Sequence, residues 1–240
     1  MNSIYKYPLL YLNARFEENG IITLEKEQVH YLKNVLRKGA GDHLRLFNGV
    51  DGEWIARLGE LGKKNGEAHL EERIKEQPTG GRRVHLFFSP IKKQRMDFLI
   101  EKAVELGVTD LHPVIMNRTE NRKINDSRVS AQVIEAAEQC ERLDIPVIHD
   151  LVKLPQALMD NKELSLYVAM ERENGASSIS NHSYAGDYGF IIGPEGGFDD
   201  NERTLLLSVE KIKPIDLGER ILRVETAVVA CLSYAQLSIT

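Results

Sequence analysis

The sequence predicts an α/β protein in two parts: a small β-barrel or sandwich, then a mostly parallel sheet with helices on both faces. Three observations predict it. Residues 1–75 contain short alternating segments broken by turn residues. A Gln-Pro-Thr-Gly-Gly run at 77–81 then interrupts the pattern as a linker. Beyond it, strand-like apolar runs alternate with amphipathic helical ones, the order that builds a parallel sheet. The expected division is therefore 1–75 and 76–240.

In the first part, strands are expected at 21–24, 43–47, 53–58 and 67–70. Turn signals sit between them at Asn19-Gly20, at 39–42, at Asn48-Gly49 and at Asp51-Gly52. One helix interrupts them over 25–36. It places Val29, Leu32, Val35 and Leu36 on one face and ends on Arg37-Lys38.

The second part opens with a strand at 84–89. A helix over 94–106 follows, with Met96, Leu99, Ile100, Ala103 and Leu106 on its apolar stripe and Gly107 as its C′ residue. A strand is expected at 111–116 and a helix at 127–143 that buries Val129, Val133, Ala136, Ala137 and Cys140. Glu135, Glu138 and Glu141 then read as that helix's polar face. Short strands follow at 147–148, 165–170 and 188–192, a weaker one at 211–216, and a last helix at about 224–237. Asp199, with Glu202 three residues on, forms a capping-box signature for one more helix.

Bulk composition excludes several classes. No apolar run reaches the roughly 18 residues of a membrane span, and the first residues lack a signal-peptide pattern. Cys140 and Cys231 are far apart in apolar helical patterns, which suggests buried free thiols in a reducing cytosol. The seven histidines are scattered, with no pair at ligand spacing, so no metal is expected. Net charge is −5, unevenly spread. Residues 1–83 hold 14 Lys and Arg against 12 Asp and Glu, while residues 84–240 hold 17 against 24. That balance does not suit a tight nonspecific RNA binder; RNA contact would need local basic patches.

In open α/β sheets, ligands bind beyond the carboxyl ends of the strands. Three such ends carry unusual loops, at 170–172, 193–197 and 217–223. The glycine turn Gly193-Pro-Glu-Gly-Gly197 lacks the Lys-Ser/Thr of a nucleotide-triphosphate loop, so phosphate is a poor candidate. An adenosine-type ligand held by main-chain groups and the apolar walls of Leu217, Ile221 and Leu222 fits better. The last helix opens Arg223-Val-Glu-Thr. Glu225 and Thr226 suit a helix amino terminus as caps or as functional groups. Arg223 opposes the helix dipole there and is expected to have a partner. The helix is apolar on nearly every side, which fits a subunit interface as readily as a core. Basic residues gather at 92–95 and 118–123, either as solvated faces or as an RNA contact at the edge that carries the glycine loops.

Two motifs carry a resemblance. Ile192-Gly-Pro-Glu-Gly-Gly-Phe198 and Leu217-Gly-Glu-Arg-Ile-Leu-Arg-Val-Glu-Thr-Ala227 closely resemble the last two motifs of the bacterial ribosomal RNA small subunit methyltransferase E family. That family is a branch of the SPOUT superfamily of trefoil-knotted methyltransferases. The blocks at 93–108, 135–146 and 30–37, followed by Gly41-Asp42, agree with it, so the resemblance covers nearly the whole chain. It implies a PUA-like, RNA-binding β-barrel over 1–75 and a SPOUT α/β-knot domain over 76–240. Composition would not give a knot, since chains generally avoid them.

The resemblance further implies S-adenosyl-L-methionine as cofactor and 3-methyluridine in 16S rRNA as product. It implies a homodimer with the last helix in its interface, working in the cytoplasm. Met170, Gly193, Pro194, Glu195, Gly196, Gly197, Leu217, Gly218, Ile221, Leu222 and Arg223 carry over as cofactor-pocket residues. Methylating uracil N3 requires loss of a weakly acidic proton from an exposed or flipped base. Arg223 is expected to polarise the base and Glu195 or Glu225 to assist deprotonation; bonding of loop amides is the structural alternative for Glu195. RNA contact is expected from Arg37, Lys38, Lys92, Lys93, Arg95, Arg118, Arg122 and Lys123. Net acidity points to the assembled small ribosomal subunit as substrate. Two departures stand out: the first residues lack an arginine, and Asn117-Arg118-Thr119 stands where the family often has Arg-Ser.

Overall fold

A computed structural model describes residues 3–171, 173, 175–184 and 186–238. The chain forms two compact units. One comprises residues 1–80 with 137–145, the other 81–136 with 146–240.

The first unit is built on β1 (Leu9–Tyr11), β2 (Ile21–Leu24), α1 (Lys26–His30), β3 (His43–Phe47), β4 (Glu53–Leu61) and β5 (Gly66–Lys75). Its sheet order is β1-β3-β4-β5-β2, antiparallel except for the parallel β1–β3 pair. Alternate residues of all five strands converge on one core. Leu10, Leu24, Leu44, Leu46, Ala56, Leu58, Ala68 and Leu70 meet Val29 and Leu32 from α1 and the turn after it. A single sheet whose one face meets at one cluster must curl, so this is an open barrel plugged by a helix.

The helical stretch after Glu25 is less regular than its periodicity predicts, since α1 passes into a π-type turn over Tyr31–Val35. β1, only three residues long, is absent from the sequence reading. Residues 137–145 complete this unit through charge. Arg45 is 2% exposed and donates to Tyr7 O, to Glu53 Oε1 (2.9 Å) and to Glu141 Oε1 (2.6 Å). Buried charge is tolerated only when paired this fully.

The second unit contains β6 (Val84–Phe88), α2 (Lys93–Glu105), β7 (Asp110–Ile115), α3 (Asp126–Gln139), β8 (Val147–Ile148), β9 (Val152–Lys153) and α4 (Leu154–Asp160). It continues with β10 (Ser165–Ala169), β11 (Ser177–Ser178), β12 (Tyr188–Ile192), α5 (Asp200–Ser208), β13 (Ile212–Asp216) and α6 (Val224–Leu237). The strands pair in the order β11-β13-β10-β12-β6-β7-β8, with β9 also on β7, and every pair is parallel.

Strand side chains alternate between faces. Phe87, Val114, Val168 and Ile191 pack with Leu154, Ala157 and Leu158 of α4 and Leu206 of α5. Leu86, Phe88 and Phe190, one position out of step, serve the opposite face and are fully buried, and α6 packs on β12 and on α2.

Three sequence expectations need correction. The helix expected to reach residue 143 ends at Gln139, because Glu141 takes a left-handed conformation (φ 58°) and turns its carboxylate to Arg45. Cys140, placed just past that end, is exposed rather than buried; Cys231 in α6 is buried. Glu138 and Glu141 are not a free polar face, since Glu138 Oε1 accepts from Tyr11 N. The 152–160 strand and helix, with Pro155 in the first helical turn, are also missing from the sequence reading.

Candidate active site

Register decides where the three unusual loops meet. Ala169 lies opposite both Ile192 and Ile215, so β10, β12 and β13 end in one row. The chain segments leaving that row enclose a pocket of about 610 Å³. All eleven residues expected to form a cofactor pocket, from Met170 through Gly193–Gly197 to Leu217–Arg223, line it. Ala169, Phe198, Asp216, Arg220, Val224 and Ala227 line it too.

The glycines have local reasons. A Cβ at Gly193 would sit 3.0 Å from the Phe198 ring, so any side chain there would displace the ring that floors the loop. Gly218 has φ +107°, a conformation that L side chains rarely adopt, and its N–H donates to Asp216 Oδ1 (3.1 Å). The turn closes through Gly197 N to Pro194 O at 2.8 Å. It runs into α5 through a complete capping box. Asp199 Oδ1 accepts from Glu202 N (2.8 Å), and Glu202 Oε2 accepts from Asp199 N (3.1 Å).

The glycine loop is braced from outside. Arg95, in the first turn of α2, pairs with Glu195. Arg118 donates to Gly196 O (2.8 Å), and Asn117 donates from Nδ2 to Asp199 Oδ2 and from its backbone to Glu202 Oε1. The backbone N–H of Glu202, followed by the Asn117 amide, holds the Asp199 carboxyl below its usual range. The brace is anchored in the interior. Thr119 Oγ1 accepts from Met116 N (2.8 Å) and shares a hydrogen bond with Ser89 Oγ (2.7 Å), both residues being buried. The Asn117-Arg118-Thr119 departure is thus the buttress of the pocket. Sequence reasoning missed the roles of Asn117, Thr119 and Ser89. Their only signal was their place after β6 and β7, in the same row of strand ends.

Two descriptions from models of known families match the chain: an RNA methyltransferase domain over residues 78–236 and an RNA methyltransferase PUA domain over residues 24–71. The ribosomal RNA small subunit methyltransferase E of Rickettsia conorii is 38% identical over 97% of this chain and 96% of its own. The chain belongs to the ribosomal RNA small subunit methyltransferase E family. The Synechocystis member is 31% identical over 88% of this chain and 71% of its own. Among solved structures, the methyltransferase E of Neisseria gonorrhoeae bound to S-adenosyl methionine superposes with a TM-score of 0.85 at 30% identity. It covers 96% of this chain and 97% of its own. A Legionella pneumophila methyltransferase in complex with SAM gives 0.87 at 29% identity, with the same coverage.

In this methyltransferase E chain the other sequence-predicted residues are spread more widely. Glu225 does not line the pocket; it is buried in the first turn of α6, and its Oε2 has no hydrogen-bond partner among the described residues. Arg223 caps α6 through its backbone. Contrary to expectation, its side chain has no hydrogen-bond or ion-pair partner among the described residues, and it faces the pocket instead. Lys92, Lys93 and Lys123 border a second cleft of about 490 Å³, with Arg128 and the floor residues Met96 and Val129. Arg122 donates to Asn117 O (3.1 Å). Arg37, in a left-handed conformation, and Lys38 lie in the first unit.

Histidines scattered along the chain converge in the fold. His85, His112 and His149 gather around Asp110 at the amino-terminal end of the sheet, away from the strand ends that form the pocket. Burial, then the neighbouring His149 and His85, pushes His112 down to about 3, and burial also lowers His85. Burial alone would raise the Asp110 carboxyl, but donation from His149, Arg83 and Thr109 holds it below its ordinary range. Among the described residues, no helix is long and apolar enough to cross a membrane.

Proposed function

We propose that the protein uses S-adenosylmethionine to methylate N3 of a uridine in 16S rRNA, acting on the small ribosomal subunit in the cytoplasm. Family membership carries this reading. The pocket supports it: about 610 Å³ falls in the range of small-molecule sites, and its walls are glycine-loop backbone with Leu217, Ile221 and Leu222. These residues fit a neutral adenosine-type group with a short charged tail. When bound, the cofactor supplies an electrophilic methyl group. Met170, Gly193–Gly197 and Leu217–Leu222 hold and orient it, and orientation supplies most of the catalysis.

Arg223 has its side chain free at the pocket wall. It stabilises charge developing on the uracil carbonyl oxygens as N3 loses its proton. Glu195 is occupied by Arg95 and positions the loop. Glu225, two residues beyond Arg223, has an unsatisfied Oε2 but is buried outside the pocket lining, so its role is to position the first turn of α6 behind Arg223 rather than to accept the uracil proton directly.

The first unit, matching the PUA domain, supplies RNA binding through Arg37 and Lys38, and the functional boundary falls near residue 75. Lys92, Lys93, Arg95, Arg118, Arg122 and Lys123 extend the RNA contact on the catalytic unit. β13, last in the chain, pairs between β10 and β11, which supports the trefoil crossing expected of SPOUT enzymes. Leu237, 80% exposed near the end of apolar α6, supports a homodimer through that helix.

Methylation of small subunits lacking the modification, followed by mass mapping of the 16S rRNA, tests the function. One added methyl on a single uridine N3 is expected; a product on tRNA or 23S rRNA alone would move the substrate. In single turnover, Arg223→Ala is expected to slow methyl transfer about a hundredfold. A rate near wild type would remove Arg223 from the chemistry.

A further inference from the structure

We propose that His85, His112 and Asp110 form a binding site for a divalent transition ion of the zinc class, independent of the methyl-transfer site. Strand register builds the site. Parallel pairing sets His85 opposite Asp110 and Phe87 opposite His112, so Asp110 and His112, two residues apart, project from the same face as His85. His149 follows β8, its backbone N–H bonds Leu111 O, and its ring stacks on His112 at 3.8 Å. The starts of β6 and β7 and the residue just after β8 thus deliver four chemistry-bearing side chains to one spot, three of them buried.

The donor geometry suits an ion. His85 Nδ1 lies 3.0 Å from His112 Nε2 and 3.8 Å from Asp110 Oδ2, and the three ligand atoms all lie within 4.8 Å of one another. Ligands at zinc's usual bond lengths of about 2.0–2.1 Å stand about 3.3 Å apart in a tetrahedron. The two shortest-range separations straddle that value, and the 4.8 Å ceiling on the set means that side-chain shifts of at most about 1.5 Å bring all three to one centre. The two facing imidazole nitrogens share one proton between them. Moving it to the outer nitrogen of whichever ring carries it, His85 Nε2 or His112 Nδ1, frees both lone pairs, so binding needs a tautomer change and no net proton release. Outer support is already in place. His149 Nε2 donates to Asp110 Oδ1 (2.8 Å), Thr109 Oγ1 to Oδ2 (2.8 Å), and Phe87 stacks on His112 at 4.2 Å.

One group competes. Arg83 pairs with the Asp110 carboxylate through two nitrogens, filling lone pairs that an ion would use. Its side chain is half exposed and can release into solvent, whereas Asp110 is fully buried and stays. Guanidinium and metal ion are therefore rivals for one carboxylate, and removing the guanidinium strengthens the site.

The test is titration of chelator-treated full-length protein with Co²⁺, read by its visible absorption, and with Zn²⁺ by calorimetry. One equivalent per chain is expected, with Zn²⁺ displacing Co²⁺. Arg83→Ala is expected to tighten binding about tenfold, and His85→Asn or His112→Asn to weaken it at least tenfold. Histidine variants are compared only where circular dichroism matches wild type. In unmutated protein, the ring ¹⁵N resonances of His85 and His112 are expected to shift on Zn²⁺ addition. Absence of stoichiometric binding in both wild type and Arg83→Ala overturns the proposal. So does binding that survives both histidine substitutions or leaves both ring resonances unmoved.

Discussion

Thr119→Val isolates the interior anchor of the pocket brace. Valine keeps the shape of threonine and removes only the hydroxyl. Met116 N–H, which donates to Thr119 Oγ1 at 2.8 Å, loses its acceptor in a buried setting, at about 1–3 kcal/mol. Ser89, fully buried, loses the 2.7 Å partner of its own hydroxyl, at about 1 kcal/mol more. The sum, about 2–4 kcal/mol, corresponds to a drop in melting temperature of about 5–15 °C for a chain of this size. Denaturant unfolding measures the cost. Isothermal titration with S-adenosylmethionine measures its reach, because Arg118 and Asn117, which hold the glycine loop, stand on the same turn. In the double variant Ser89→Ala/Thr119→Val no orphaned serine remains, so its cost falls short of the sum of the singles by about 1 kcal/mol. A single-variant cost under about 0.5 kcal/mol, or strict additivity, refutes the brace as an energetic unit.

Three further outcomes are expected. Gly193→Val places side-chain carbons against the Phe198 ring, and at about 1–3 kcal/mol of overpacking it should weaken cofactor affinity at least tenfold by calorimetry, while Gly186→Ala should not. Asp199 has its pKa lowered in the folded protein. Its stabilisation is therefore complete above about pH 4 and is lost as pH falls through the folded value. Asp199→Asn should flatten that acid limb of the stability curve, read by fluorescence-detected unfolding against pH. Leu237→Glu should shift the protein from dimer to monomer in sedimentation velocity if α6 is the interface, with the isolated chain remaining folded.

Much of the catalytic unit was legible because its signals are local. The α5 capping box, the strand runs of the parallel sheet and the glycine turn are each contained within a few neighbouring residues. What escaped is decided across the chain. β1 spans three residues and exists only because β3 offers it a parallel edge. α4, at seven residues, is too short for periodicity to declare itself, although Pro155 and the buried Leu154, Ala157 and Leu158 marked its start. The length of α3 was misread because Glu141 answers to Arg45, 96 positions earlier, rather than to its helical neighbours. The histidine cluster escaped for the same reason: spacing along the sequence says nothing of which strands lie side by side.

The Arg45–Glu141 pair bears on how the protein is made. Residues 1–80 emerge from the ribosome with the strands of the first unit complete, yet with one branch of a buried guanidinium still waiting for its carboxylate. That unit reaches its final form only after β6, α2, β7 and α3 have been synthesised. A fragment ending at the linker would keep the buried Arg45–Glu53 pair but lack the second carboxylate, so the polar contacts of the first unit are completed only when residues 137–145 arrive.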